Sequence, residues 1–487
     1  MSTTSITRTL KYAVDFEGVE RFSKPYQAIH KILCAAETDL RMAANQALAA
    51  MYLMRMGTLP TPLNKDKPVS VRTLAYQAFS GKWQPFGEVK GALYQAKMAP
   101  RLSSRILLHA SGVLFTRAST DLAKVESGEC QLPTFRRFPV GTVAQALTFD
   151  PETLALSFQL WGAGVDGPVL PKLLPHRLRG EPKALLQRIA QGEVKAGNAS
   201  LTYDDRTKKW MLCLSWTGPV KVVASTTVAG IDLGQIIEVT MGYSQGSHTL
   251  PFKDFVPFPE DALRAWDRIR EQNRKAQQFG RDPSRKLARV VRTSVEQLAA
   301  RVVQVALQRR AGLVVLEDLK GFTSDMLAST EAITASRRAK IRMQWLRWHY
   351  GAVREQVRHV ALKRGSRVAV VAPHYSSCMC ATCGQVWLGP EEKPALRKIA
   401  LKSLQTLSAT LYLGNKVKKV KLDREIDPAK LRFGPYGRIS AHQFTCDCGV
   451  NHHSKVNAAH NLAAWGEILL PEFEGMVSET STQDEAG

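Results

Sequence analysis

Two tight pairs of cysteines constrain this chain more than any other feature. Cys380-Ala381-Thr382-Cys383-Gly384 is a knuckle of the C-x-x-C-G type, and Cys446-Asp447-Cys448-Gly449 follows after a long gap. Paired knuckles supply four thiolates, the donor set of a tetrahedral structural Zn²⁺ site, so the chain between them must leave and return. Five of the eight cysteines crowd between Cys378 and Cys448, which points to metal rather than disulfides. The second pair is C-x-C, a tighter turn, so Cys378 or His442 is a candidate replacement ligand. The gap from Gln385 to Thr445 holds 12 Lys/Arg against 5 Asp/Glu. Inside it, Lys416-Val417-Lys418-Lys419-Val420-Lys421 interleaves basic and apolar residues, as a strand with a cationic face would. Lys416, Lys418, Lys419 and Lys421 are therefore candidate contacts to a nucleic-acid backbone.

The whole chain shares that bias. Its 487 residues carry 67 Lys+Arg and 43 Asp+Glu, a formal charge of +24. An excess this large attracts polyphosphate through counterion release, whatever the sequence bound. No apolar run approaches the ~20 residues of a spanning helix, which argues against a membrane partner. Met1 to Phe16 lacks the apolar centre of a secretory signal, so a cytoplasmic location is expected.

Periodicity divides the chain. Ile6 to Phe16 alternates like a strand, and helical spacing runs from Tyr26 to about Met56 and from Val71 to about Glu129. Short β-like runs follow, such as Leu154–Trp161 and Trp210–Trp216. From Thr227 the pattern becomes α/β. Val228–Asp232, Gly312–Leu319 and Arg367–Val371 read as buried strands, with Ile237–Tyr243 and Ser247–Phe252 as a meander. Helices are expected over about Pro259 to Arg310, Ala339 to Arg364 and Ser454 to Leu470.

Two of the buried strands end in acids. Asp232 lies in Gly230-Ile231-Asp232-Leu233-Gly234, and Glu317 ends Val314-Val315-Leu316. A lone buried charge is too costly for either strand, so the acids are expected to converge at one sheet edge. That layout serves a two-metal phosphodiester site.

These motifs, with Pro373–Cys383 and Val456-Asn457-Ala458-Ala459-His460-Asn461, resemble in order and context the transposon-encoded TnpB family, from which the miniature type V CRISPR effectors descend. The resemblance covers about Thr227 to Leu470, and before that it is one of architecture. It implies a multidomain α+β protein. A split oligonucleotide-binding wedge β-barrel (1–24 and 131–222) would enclose a helical recognition lobe (25–130). An RNase H-like (RuvC) α/β domain would follow at 223–376, with an inserted zinc ribbon and basic insertion at 377–449. Its final helix would occupy 450–471. Composition, not the resemblance, gives a disordered acidic tail at 472–487, since Pro471 to Gly487 has five acidic residues and no Lys or Arg. The implied activity is RNA-guided recognition and cutting of double-stranded DNA beside a short flanking motif. Guide RNA and target DNA are the implied partners, with the protein a monomer or a homodimer on one guide.

The family's site has three acids. Asp232 and Glu317 match two, and the third position holds Lys455, in a stretch Val450 to Lys455 without an acid. An ammonium cannot ligate Mg²⁺ and repels it, so little or no cleavage is expected. His452 or His453 with a softer metal would be one escape, and Glu467 lies about three turns away on the same helix. The leading expectation is an effector that occupies DNA, or recruits transposition or host factors, without cutting. The alternatives are an active nuclease with rearranged ligands and a transposon-associated DNA-binding protein that needs no guide. Further basic candidates are Arg136, Arg137, Arg268, Arg270, Arg274, Lys275, Arg285 and Arg289.

Overall fold

The computed structural model describes residues 3–58, 63–64, 67–68, 70–80, 101–127, 132, 134–233, 238–246, 248–257, 264, 268, 271–272, 285–318, 350–372, 375–389, 391–392, 394–440 and 443–478. The chain forms two compact units, Thr7–Gly218 and a second made of Met1–Ile6 with Pro219–Gly487.

In the unit Thr7–Gly218, the first strand β1 (Thr3–Phe16) leads into helices α1 (Lys24–Arg55), α2 (Val71–Ser80) and α3 (Ser104–Glu126). Ser23 starts α1 by accepting the Tyr26 N–H, with Pro25 in the first turn, and Ser103 caps α3 through the Ile106 N–H. Leu33, Ala36, Leu40, Ala44, Ala47 and Met51 form the buried stripe of α1. Six further strands follow: β2 (Val140–Thr142), β3 (Thr148–Phe149), β4 (Leu156–Ser157), β5 (Leu173–Pro175), β6 (Lys195–Asp204) and β7 (Lys209–Lys221), with helix α4 (Glu181–Ala190) after β5. The sheet order is β2-β6-β7-β1-β5-β4-β3, so the opening strand lies mid-sheet and the helices interrupt it. The sheet is open, because β2 and β3 end it without pairing to each other among the described residues. A closed barrel is therefore not what these residues form.

The second unit is built on β8 (Val228–Leu233), β9 (Glu238–Gln245), β10 (His248–Pro257), β11 (Leu313–Glu317), β12 (Arg367–Val371), β13 (Thr406–Leu413) and β14 (Lys416–Asp423), in the order β10-β9-β8-β11-β12-β13-β14. β8, β11 and β12 are parallel, and an antiparallel hairpin flanks them on each side. The parallel strands are buried on both faces, which explains their unbroken apolar sequences. On one face Ile231, Val314, Leu316, Val368 and Val370 pack with α5 (Arg285–Gln308) and α6 (Tyr350–Lys363). On the other, Val228, Val315 and Val371 pack with Leu462, Trp465 and Leu469 of the last helix, while α7 (Pro394–Leu404) contributes Ala400 and Leu404. No described helix is long and apolar enough to cross a membrane.

Two features depart from expectation. The segment between the knuckles does not all belong to a separate ribbon. Leu407, Ala409, Leu411 and Leu413 alternate inward and extend the main sheet, with β13 pairing to β12. The last helix, α8 (Ser454–Ser478), also runs past Leu470 into the supposed tail. Phe473 and Met476 continue its buried face, and that burial outweighs the hydrogen bond lost at Pro471. The rest of the tail lies outside the described residues.

Candidate functional site

Asp232 and Glu317 meet because β8 and β11 are parallel and in register, with Gly230 opposite Val315 and Ile231 opposite Leu316. One step further brings the two carboxylates side by side at the C-terminal ends of neighbouring strands. Both point to the face covered by α8, since Gly230 and Val315, two residues earlier, lie under that helix.

The covering helix comes unusually close. A Cβ on Gly230 would stand 2.0 Å from the Ala459 carbonyl oxygen, and one on Gly466 would stand 2.4 Å from Val315. The small residues of Asn457-Ala458-Ala459-His460-Asn461 thus let helix and sheet touch backbone to backbone. From Ala459 back to Lys455 is four residues, about 6 Å of rise. From Gly230 to Asp232 is two strand residues, about 6.6 Å. The packing that fixes Ala459 over Gly230 therefore carries Lys455 to Asp232.

Polar contacts lock this register. Asn457 donates to the Met379 carbonyl (2.6 Å) and accepts the Ala381 N–H (3.0 Å). One turn on, Asn461 donates to the carbonyls of Ser376 and Met379, both at 2.7 Å. The Ser376 hydroxyl then donates to Glu317 Oε1 at 2.9 Å. The first knuckle, the last helix and the second acid are one hydrogen-bonded assembly.

Burial raises the Asp232 carboxyl to about 6, against the pull of the Lys455 and Arg438 charges. Burial also raises Glu317, to about 7, reinforced by the Asp232 charge and opposed by the Ser376 bond and Arg438. Arg438 is the site residue that sequence reasoning missed. It lies on the short strand Gly437–Arg438, within the basic insertion, and no spacing rule connects it to the acids. With it, two cations face two acids, so the pair is balanced before any metal arrives. Mg²⁺ needs oxygen ligands and net negative charge, and these residues do not fit it. At ~5 Å and an effective dielectric of ~20, one unit of repelling charge acts on a divalent ion with roughly 6 kcal/mol.

Among the described residues, neither His452 nor His453 groups with the two acids to share a metal. The His453 ring meets Phe255 edge-on, with centroids 6.1 Å apart. His452 is exposed on the strand Asn451–His452. Glu467 lies twelve residues beyond Lys455, about 18 Å along the helix. Among the described residues, the four thiols are the one group of three or more His, Cys, Asp or Glu placed to share a metal.

Those thiols are Cys380, Cys383, Cys446 and Cys448, all with Sγ atoms within 4.8 Å of one another. Cys383 lies 3.6 Å from Cys446, and Cys380 3.8 Å from Cys448. A tetrahedron with metal–sulfur bonds of ~2.3 Å has edges of ~3.8 Å, so the set fits an ion bound by four thiolates. The Trp387 indole donates to Cys446 Sγ at 3.4 Å, supporting a charged sulfur. Cys378 is outside this group, and His442 is outside the described residues.

The basic candidates divide. Arg137 is committed to the Tyr203 carbonyl (2.5 Å) and to an ion pair with Asp205, while Arg136 is exposed. Arg268 and Arg289 are exposed on helical backbone. Arg270, Arg274 and Lys275 lie outside the described residues, as does the side chain of Arg285. Strand alternation sorts the four lysines of β14. Lys416 donates to the Met476 carbonyl (2.6 Å) and Lys418 pairs with Glu472 (2.7 Å), so both latch the end of α8. Lys419 is exposed on the opposite face, with Lys421, and neither has a partner among the described residues. The expected single cationic face is thus two faces with different work.

Comparison with known proteins adds to this geometry. Residues 350–462 match the family described as Cas12f1-like, TNB domain. A CRISPR-associated endodeoxyribonuclease Cas12f1 of Sulfoacidibacillus thermotolerans is 22% identical over 229 residues, which are 43% of this chain and 50% of that protein. The match thus spans about half the length of this curated relative. A solved Cas12f1–sgRNA–target DNA complex shares the fold, with a TM-score of 0.55 at 13% identity over 94% of this chain and 99% of that one. The family model covers residues 350–462, and the solved complex shares the fold of the chain.

Proposed function

We propose that this chain is an RNA-guided, double-stranded DNA-binding CRISPR effector that recognises a flanking motif, forms an R-loop and does not cut. In this reading the second unit is an RNase H-like RuvC domain. Its strand order, with three parallel strands and acids at two adjacent C-terminal ends, supports that assignment. The open sheet and helices of the other unit correspond to the wedge and recognition lobe. The similar structure contains an sgRNA and target DNA, and the +24 charge suits both ligands.

The observation that carries the loss of cutting is Lys455 over Asp232, joined by Arg438. The site keeps the shape of a metal centre but not its charge. Zn²⁺ in the four-thiol group would have a structural role, tying the knuckles to α8 and to Glu317. Specificity would come from base pairing with the guide, and the protein would read the flanking motif and the backbone.

RNA dependence tests the reading. The purified protein should shift a matched duplex on addition of a cognate guide and fail to shift it with a scrambled one. Tight, guide-independent binding to the same duplex would instead support a plain DNA-binding protein.

A further inference from the structure

The pairing register extends the acid pair into a longer row. Asp232 pairs with Thr240, and Thr240 pairs with Phe255 on the edge strand β10. Directly paired residues share a face, so Glu317, Asp232, Thr240 and Phe255 line up beneath the start of α8. Two strand spacings place Phe255 about 10 Å from Asp232. Phe255 is 41% exposed, and its ring meets His453 in a T-shaped contact at 78°. Lys253, two residues earlier on the same strand, is exposed. Its charge reaches both His452 and His460, where it adds to burial in lowering the imidazole pKa values. Asp254 between them turns to the other face, where Arg309 (3.0 Å) and the Tyr243 hydroxyl (2.9 Å) bind it. The shelf beside the acids is therefore aromatic and cationic, and its nearest acid is neutralised elsewhere.

We propose that Phe255 is a stacking platform for an unpaired nucleobase, with Lys253 at the adjoining phosphate. A ring offered at a sheet edge accepts the face of any base, while a paired base keeps its faces inside the duplex. The shelf would hold a displaced single strand along the acid row, and this rests on the reading that this sheet end lies along nucleic acid. It gives the uncut site a binding role: strand retention needs neither the third acid nor a metal.

The test uses the full-length protein without guide RNA and a short oligothymidylate carrying 5-iodouracil. Phe255→Ala should weaken single-strand binding by roughly tenfold while the melting temperature holds, and Phe255→Trp should restore it. Photocrosslinks should map to the peptides containing Phe255 and His453. Unchanged single-strand affinity in Phe255→Ala, or crosslinks confined to other peptides, would overturn the proposal. Failure of guide-dependent duplex binding would leave this result untouched, so the two readings can fail separately.

Discussion

Lys455 acts on Asp232 as a built-in counter-ion: burial lifts the carboxyl to about 6, and the ammonium is the largest charge opposing that rise. Restoring an acid there should exchange an internal cation for an external one. Lys455→Asp should destabilise the metal-free protein, because a third carboxylate joins two that are already hard to ionise. Added Mg²⁺ should then raise its melting temperature, by an amount equivalent to about 2–3 kcal/mol near ~100 Kd, and leave the parent unmoved. Thermal unfolding with and without Mg²⁺ checks both. A substituted protein indifferent to Mg²⁺ would mean that Arg438 alone keeps the metal out.

The same acids set a pH dependence. Asp232 and Glu317 ionise at about 6 and about 7 in the folded state, above their ordinary values of 3.8 and 4.5. Between those limits the unfolded chain binds fewer protons, so stability falls as pH rises. The contribution is present below about pH 4 and lost by about pH 7, and it amounts to a few kcal/mol for the pair. Denaturant unfolding at pH 5 and pH 8 should show the loss, and Asp232→Asn with Glu317→Gln should flatten it.

The thiol group predicts zinc content. The wild-type protein should hold about one zinc per chain, and Cys446→Ser should lose it together with several degrees of melting temperature. Cys378→Ser should keep both, because Cys378 lies outside the four-thiol group. Elemental analysis of the two variants separates these outcomes.

The lysines of β14 should part company. Replacing Lys419 and Lys421 by Ala should lower the salt dependence of DNA binding by roughly two units of log–log slope. Replacing Lys416 and Lys418 should leave that slope alone and loosen the end of α8, which hydrogen exchange would detect.

Much of this was legible in the sequence, for identifiable reasons. Apolar strands ending in Asp232 and Glu317 are a local signal, and so are the two knuckles. All four thiols met as expected, and the two acids end neighbouring parallel strands. Local pattern could not say which side of β14 each lysine takes, because its pairing with β13 sets that register. Arg438 left no signal, since it reaches the acids from the insertion through the fold alone. The tail was misread because its acidic composition hid Phe473 and Met476, which continue the spacing of Leu469.

The most direct measurement of the central claim is cleavage itself. Protein loaded with a cognate guide should be incubated with a matched plasmid in Mg²⁺ and, separately, in Mn²⁺. The account predicts a stable protein–RNA–DNA complex with the plasmid still supercoiled after release. Rapid linearisation or nicking in either metal would contradict it.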